Sequence, residues 1–94
     1  MSDFSSFIQS NPFPNPVDLN SLITKYIKPI PGVKSVYSLS NPSEDYVVIV
    51  DYVQKDLQFK IYNAEMEIMK LLKKPIVFGL NTSVEYYDNA IEIK

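Results

Sequence analysis

The stretch KDLQFKIYNAEMEIMKLLKK, Lys55 to Lys74, decides the fold. Placed at about 100° per residue, Leu57, Ile61, Ala64, Ile68, Leu71 and Leu72 fall in one stripe, the pattern of an amphipathic helix resting on a core. The opposite side of such a helix is ordinarily polar. Here it carries Phe59, Tyr62, Met66 and Met69, so the helix has more apolar surface to cover than one small sheet provides. Asp56–Lys60 and Glu67–Lys70 stand at spacings that allow pairing along the helix. Lys70, Lys73 and Lys74 sit where the helix dipole favours cations, and Pro75 stops the helix.

Upstream, Tyr46 to Val53 (YVVIVDYV) is almost continuously apolar and β-branched. It predicts a central strand covered on both faces, or on one face and at an interface. Val33 to Leu39 (VKSVYSL) reads as a strand of mixed exposure, joined to the first by the turn Ser40 to Asp45 (SNPSED). Before it lies a helix with Asn15 as N-cap, Pro16 in the first position and Asp18 at N3. Leu19, Leu22, Ile23, Tyr26, Ile27 and Ile30 follow at steps of three and four, and Pro29, Pro31 and Gly32 end the helix at or before Lys28.

Downstream, Ile76 to Leu80 (IVFGL) reads as a third strand, in which Gly79 signals a bulge or a close backbone approach. Residues 83–94 form either a short hairpin about Asp88–Asn89 or an edge segment. The predicted architecture is α+β: a small mixed sheet of three or four strands with two helices packed on it, in the order α-β-β-α-β. Residues 15–94 make one domain. Residues 1–14, broken by Pro12 and Pro14 but rich in Phe4, Phe7, Ile8 and Phe13, make an N-terminal arm. The arm packs on its own domain or on a neighbouring subunit.

Composition narrows the chemistry. The chain has 94 residues, 46% of them hydrophobic and 21% charged, which is ordinary for one small globular domain. It contains no Cys, His, Trp or Arg. Without Cys and His the usual zinc, copper and iron ligand sets are missing, and so are Ser–His and Cys–His nucleophile pairs. No cofactor is expected. The lack of Arg removes bidentate phosphate clamps and the commonest reader of guanine. With a net charge of −2 and no basic block, nucleic-acid capture is not expected. No apolar run is long enough to span a membrane. The start, MSDFSSFIQSNPFP, has neither the basic nor the apolar region of a secretory signal, so the expected location is cytoplasmic.

One stretch carries a likeness to a known family. PGVKSVYSLSNPSEDYVVIVDY, Pro31 to Tyr52, resembles the opening of the nucleotidyltransferase fold. In that fold a helix leads into a strand ending in Gly-Ser, and a turn leads into a strand carrying Asp-x-Asp. The likeness spans about residues 16–82, in pattern and lengths more than in identities. In such families the Gly-Ser backbone holds nucleotide phosphates, and the aspartates, with a third on a later strand, bind the metals for phosphoryl transfer. This chain has Leu39-Ser40 in place of Gly-Ser and Ser43-Glu44-Asp45-Tyr46 in place of Ser-Asp-x-Asp, and it has no acid in Ile76 to Thr82. The resemblance therefore implies a nucleotidyltransferase-like scaffold whose active site has been lost. Ser40, Glu44 and Asp45 are what remains of the pocket, unless they are simply an ordinary turn.

The function expected from these residues is a non-catalytic interaction or self-associating module, either a homodimer or the binder of a small protein partner. Phe59, Tyr62, Met66 and Met69 are its interface candidates, with possible help from Tyr86 and Tyr87. One alternative is a catalytically reduced nucleotidyltransferase-like enzyme drawing on Glu44, Asp45, Asp51 and Lys34. Another is one half of a two-protein system of the toxin–antitoxin kind.

Overall fold

The structure is a computed structural model that describes residues 18–94. The arm at 1–14 and the proposed caps Asn15 and Pro16 lie outside the described residues. The architecture is α+β: helix α1 (Leu19–Tyr26), strands β1 (Val33–Ser38) and β2 (Tyr46–Val50), helix α2 (Lys55–Leu72), β3 (Phe78–Asn81), a 3-10 turn (Val84–Tyr86) and β4 (Ile91–Glu92). The sheet is mixed, in the order β3-β2-β1-β4. β1 lies antiparallel to both β2 and β4, while β2 and β3 run parallel, with α2 as their crossover.

α1 starts one turn later than the sequence pattern suggests. Asp18 is not N3 but the N-cap: its backbone is extended and its carboxylate accepts from the Asn20 N–H at 3.4 Å. After the helix, Ile30 and Val33 donate back to Ile27 and Ile30 in successive turns, and Gly32 takes a φ of +102° to turn the chain into β1. A Cβ there would also meet the Leu57 side chain at 2.9 Å, so this glycine lets α2 dock against the turn.

β2 ends at Val50 rather than at Val53. Val33 is the last β1 residue opposite it, β3 reaches only as far as Ile49, and beyond Val50 no strand offers hydrogen bonds. Tyr52 and Val53 are accordingly exposed. α2 closes at Leu72, with Lys73 in the left-handed conformation donating to the Met69 carbonyl at 2.7 Å; Pro75 follows the stop and does not cause it.

Side chains alternate along the strands. Val36, Val48 and Val50 face the helices and join Leu22, Ile23, Ile27, Ile61, Ile68 and Ile76 in one core, to which Ile93, just past β4, adds its side chain. The Lys28 ammonium, donating to the Ile93 carbonyl at 2.9 Å, ties the end of α1 to that edge. Val47 and Ile49 point to the other face and are just as buried. Residues 82–90 must travel from β3 at one edge to β4 at the other. Asn81, beside Ile49 on this second face, donates from Nδ2 to the Tyr87 hydroxyl at 3.4 Å, so the connection crosses the face away from the helices. The tail therefore forms an edge strand and not a hairpin, with Asn89 at φ +56° supplying the turn into β4.

Within α2, Ile61 and Ile68 are buried and Leu57, Ala64 and Leu72 are half-buried, as the stripe predicts. Leu71 departs from it: about 60° from Ile68 at the margin of the stripe, it stays 46% exposed. Ile68 is fully buried in this core. Ile68→Ala is expected to cost about 2–5 kcal/mol, read as a lower urea midpoint with an unchanged slope.

Candidate functional site

The sequence points to two regions, the turn 40–45 and the outer face of α2. In the turn, the Asn41 side chain accepts from the Ser43 and Glu44 N–H groups at 2.7 and 2.8 Å, an Asx turn that aims the next residues at the sheet. Asp45 brackets Val77: its N–H donates to the Val77 carbonyl at 2.8 Å and its carboxylate accepts the Val77 N–H at 2.9 Å. Asp45 thus docks the chain entering β3 against the start of β2. Glu44 goes elsewhere. Its carboxyl lies over Gly79, where a Cβ would meet its Cδ at 2.8 Å. The close approach expected at Gly79 is therefore made by a side chain, on the face away from the helices.

Ser40 is exposed. The three residues do not converge on a common point. Asp45 borders a shallow depression of about 350 Å³ with Leu19, Ser38, Leu39, Lys74 and Pro75, which Ser40 and Glu44 do not line. Tyr46 also lines it, and burial, then the charges of Asp45 and Asp18, raise its phenol above the ordinary value. Among the described residues no three acidic side chains are gathered closely enough to hold a metal ion.

The outer face of α2 is different. Phe59 is 62% exposed, Tyr62 54% and Met66 46%, and the three lie within about 60° around the helix, opposite Ile61 and Ile68. Met69 is not part of that exposed row. Rotated about 100° from Ile68, it sits on the flank of the helix, half-buried against the core. It still shares with Met66 a depression of about 480 Å³, bordered by Lys70, Lys73, Lys74 and Pro75. A second hollow of about 370 Å³ lies between Phe59 and Tyr62, beside Lys55 and Gln58.

The helix pairs Asp56–Lys60 and Glu67–Lys70 do not close. Among the described residues the ion pairs are Lys34–Asp51 and Lys94–Glu92, each at 3.9 Å and at the surface. Tyr86, proposed as an accessory to the interface, is 75% exposed, whereas Tyr87 is engaged with Asn81. Sequence reasoning missed Glu65. It falls about 60° from Ile68, next to Leu72 at the edge of the inward side of α2, a position legible from the same 3.6-residue period, and burial pushes its carboxyl up to about 7.

No family model, curated protein or solved structure matches the chain.

Two measurements check these placements. If Asp45 acts as a docking group, Asp45→Ala is expected to lose about 1 kcal/mol of stability, and Asp45→Asn, which keeps an acceptor for the Val77 N–H, less than half of that. Glu65 holds its proton more tightly when folded than when unfolded, so its contribution is fully present below about pH 4.5 and is lost as pH rises through about 7. Urea midpoints at pH 5 and 8 are expected to fall with pH in the native chain. Glu65→Gln should flatten that difference and gain stability at pH 8.

Proposed function

We propose that this chain is a non-catalytic self-associating module whose contact surface is the outer face of α2, with the homodimer as its working form. One observation carries this reading: Phe59, Tyr62 and Met66 form a continuous exposed apolar row along a helix whose other side already rests on the sheet. Aromatic residues and Met are the types enriched where proteins meet. A row on a straight helix can be covered by the same row on a second copy, giving a closed isologous pair with no further exposed patch. The turn residues add no competing chemistry, since Asp45 is bonded to Val77 and Glu44 lies against Gly79.

If the chain descends from a nucleotidyltransferase-like scaffold, this is the use to which such a scaffold has been put: the former catalytic turn holds the sheet together, and the helix behind it makes the contact.

Sedimentation velocity at micromolar concentration is expected to show a dimer. Phe59→Asp combined with Met66→Asp should give a folded monomer with unchanged far-UV circular dichroism. Phe59→Ala alone removes two buried rings per dimer, each worth roughly 1.5–3 kcal/mol, and should raise the dimer Kd by about two to four orders of magnitude. A native chain that sediments as a strict monomer across the accessible concentration range contradicts the reading.

A further inference from the structure

We infer that two copies of this chain pair their α2 helices antiparallel, about a two-fold axis at Asn63–Ala64, with Phe59 of each copy seated in the Met66–Met69 depression of the other. This rests on the self-association proposed above and gives it an orientation and a register. The argument comes from how α2 distributes its side chains from end to end.

The two halves of the outer face are different and complementary. The N-terminal half presents aromatic rings, Phe59 and Tyr62, with Lys55 and Gln58 at the hollow between them and Asp56 one turn before Phe59. The C-terminal half presents a thioether-lined depression of about 480 Å³, with Lys70 and Lys73 at its border. Sulfur against an aromatic ring edge is a favourable contact, and unbranched Met adapts to the shape it receives. A parallel pair would set ring on ring and depression on depression. An antiparallel pair sets ring into depression twice.

The positions fit one register. Phe59 and Met69 are placed symmetrically about Ala64, as are Tyr62 and Met66. Asp56 and Lys70 are symmetric about Asn63, and Lys60 and Glu67 about the bond joining Asn63 and Ala64. One antiparallel alignment therefore brings each ring opposite a Met and each of these acids opposite a Lys. Asp56, Lys60, Glu67 and Lys70 lie toward the same flank of the apolar row, and across a two-fold axis a flank meets its own copy. None of the four closes an ion pair within its own chain among the described residues. In a parallel pair the two-fold axis would run along the helices and set this flank against the opposite one, which carries Gln58, Glu65 and Met69 and offers these acids no Lys. The helix dipoles also oppose a parallel pair and favour an antiparallel one. One meeting is adverse in the antiparallel register: Lys55 comes opposite the second copy's Lys73.

The chain's lack of cysteine makes the register directly testable. Asp56→Cys and Lys70→Cys single-thiol variants, one carrying a mass tag, would be mixed and treated with a short bis-maleimide. The expected result is preferential linkage of position 56 to position 70, over 56 to 56 and 70 to 70. Enriched 56-to-56 linkage would show a parallel pair and overturn the inference. A sedimenting dimer without any enriched linkage would also overturn it while leaving self-association intact, and a strict monomer would remove both.

Charge changes give a second readout that does not depend on cross-linking. Asp56→Lys is expected to weaken the dimer a few-fold and Asp56→Lys with Lys70→Glu to recover it. Lys55→Glu, which turns the one adverse meeting into an attractive one, should tighten it a few-fold. A Lys55→Glu chain that dimerises more weakly than the native chain would count against the register.

Discussion

The sheet depends on the run Val47–Val50, four consecutive residues of β2 that are all buried. Alternate residues of a strand point to opposite faces, so such a run is stable only if both faces are covered. Hydrogen bonding asks for two neighbours, and β1 and β3 supply them, one antiparallel and one parallel. Side-chain burial asks for two covers. The helices cover Val48 and Val50, while Val47 and Ile49 are buried on the other face, which the connection from β3 to β4 crosses.

That loop is held by small polar devices instead of a large core. Asn81 reaches Tyr87, Ser83 caps the 3-10 turn by accepting from the Glu85 N–H at 3.1 Å, and Asn89 adopts the left-handed conformation that turns the chain into β4. On the same face the Glu44 carboxyl fills the space that Gly79 leaves open. The turn residues that invite a catalytic reading in the sequence thus belong to the covering of the second face and the docking of β3. Their positions follow from what β2 needs.

The central strand and the two helices were legible because period and composition agree there: β-branched residues in succession for β2, steps of three and four for α1 and α2. Their ends were less so, for reasons that lie outside each segment. Val53 is as suited to a strand as Val50, and only the lengths of β1 and β3 decide that it is not in one. Asp18 suits N3 as well as the N-cap, and the backbone conformation at that residue settles it. Lys73 carries no sequence mark of a left-handed cap, a role usually given to Gly or Asn. In α2 the stripe was read with Leu71 in it and Glu65 out of it; they lie about 60° to either side of Ile68, and the covered side of the helix is turned toward Glu65. The turn 40–45 was read as one neighbourhood, but Glu44 and Asp45 point apart because successive side chains entering a strand take opposite faces.

Among the described residues the outer row of α2 differs from the other exposed apolar groups. Leu71, Val77, Tyr86 and Ile91 are exposed singly, as apolar side chains commonly are, and Tyr52 and Val53 are neighbours just past the end of β2. Phe59, Tyr62 and Met66 recur at helical spacing on the side of α2 opposite the sheet. Nothing in the fold asks for them: α2 is already held by Ile61, Ile68 and the residues around them, and polar side chains at the three positions would leave that packing unchanged. Their hydration costs the lone domain free energy at about 25 cal/mol for each Å² kept in water. A fold requirement would have been met on the inner face. The contact proposed for this row would remove it from water and set Asp56 and Glu67 of one copy against Lys70 and Lys60 of the other.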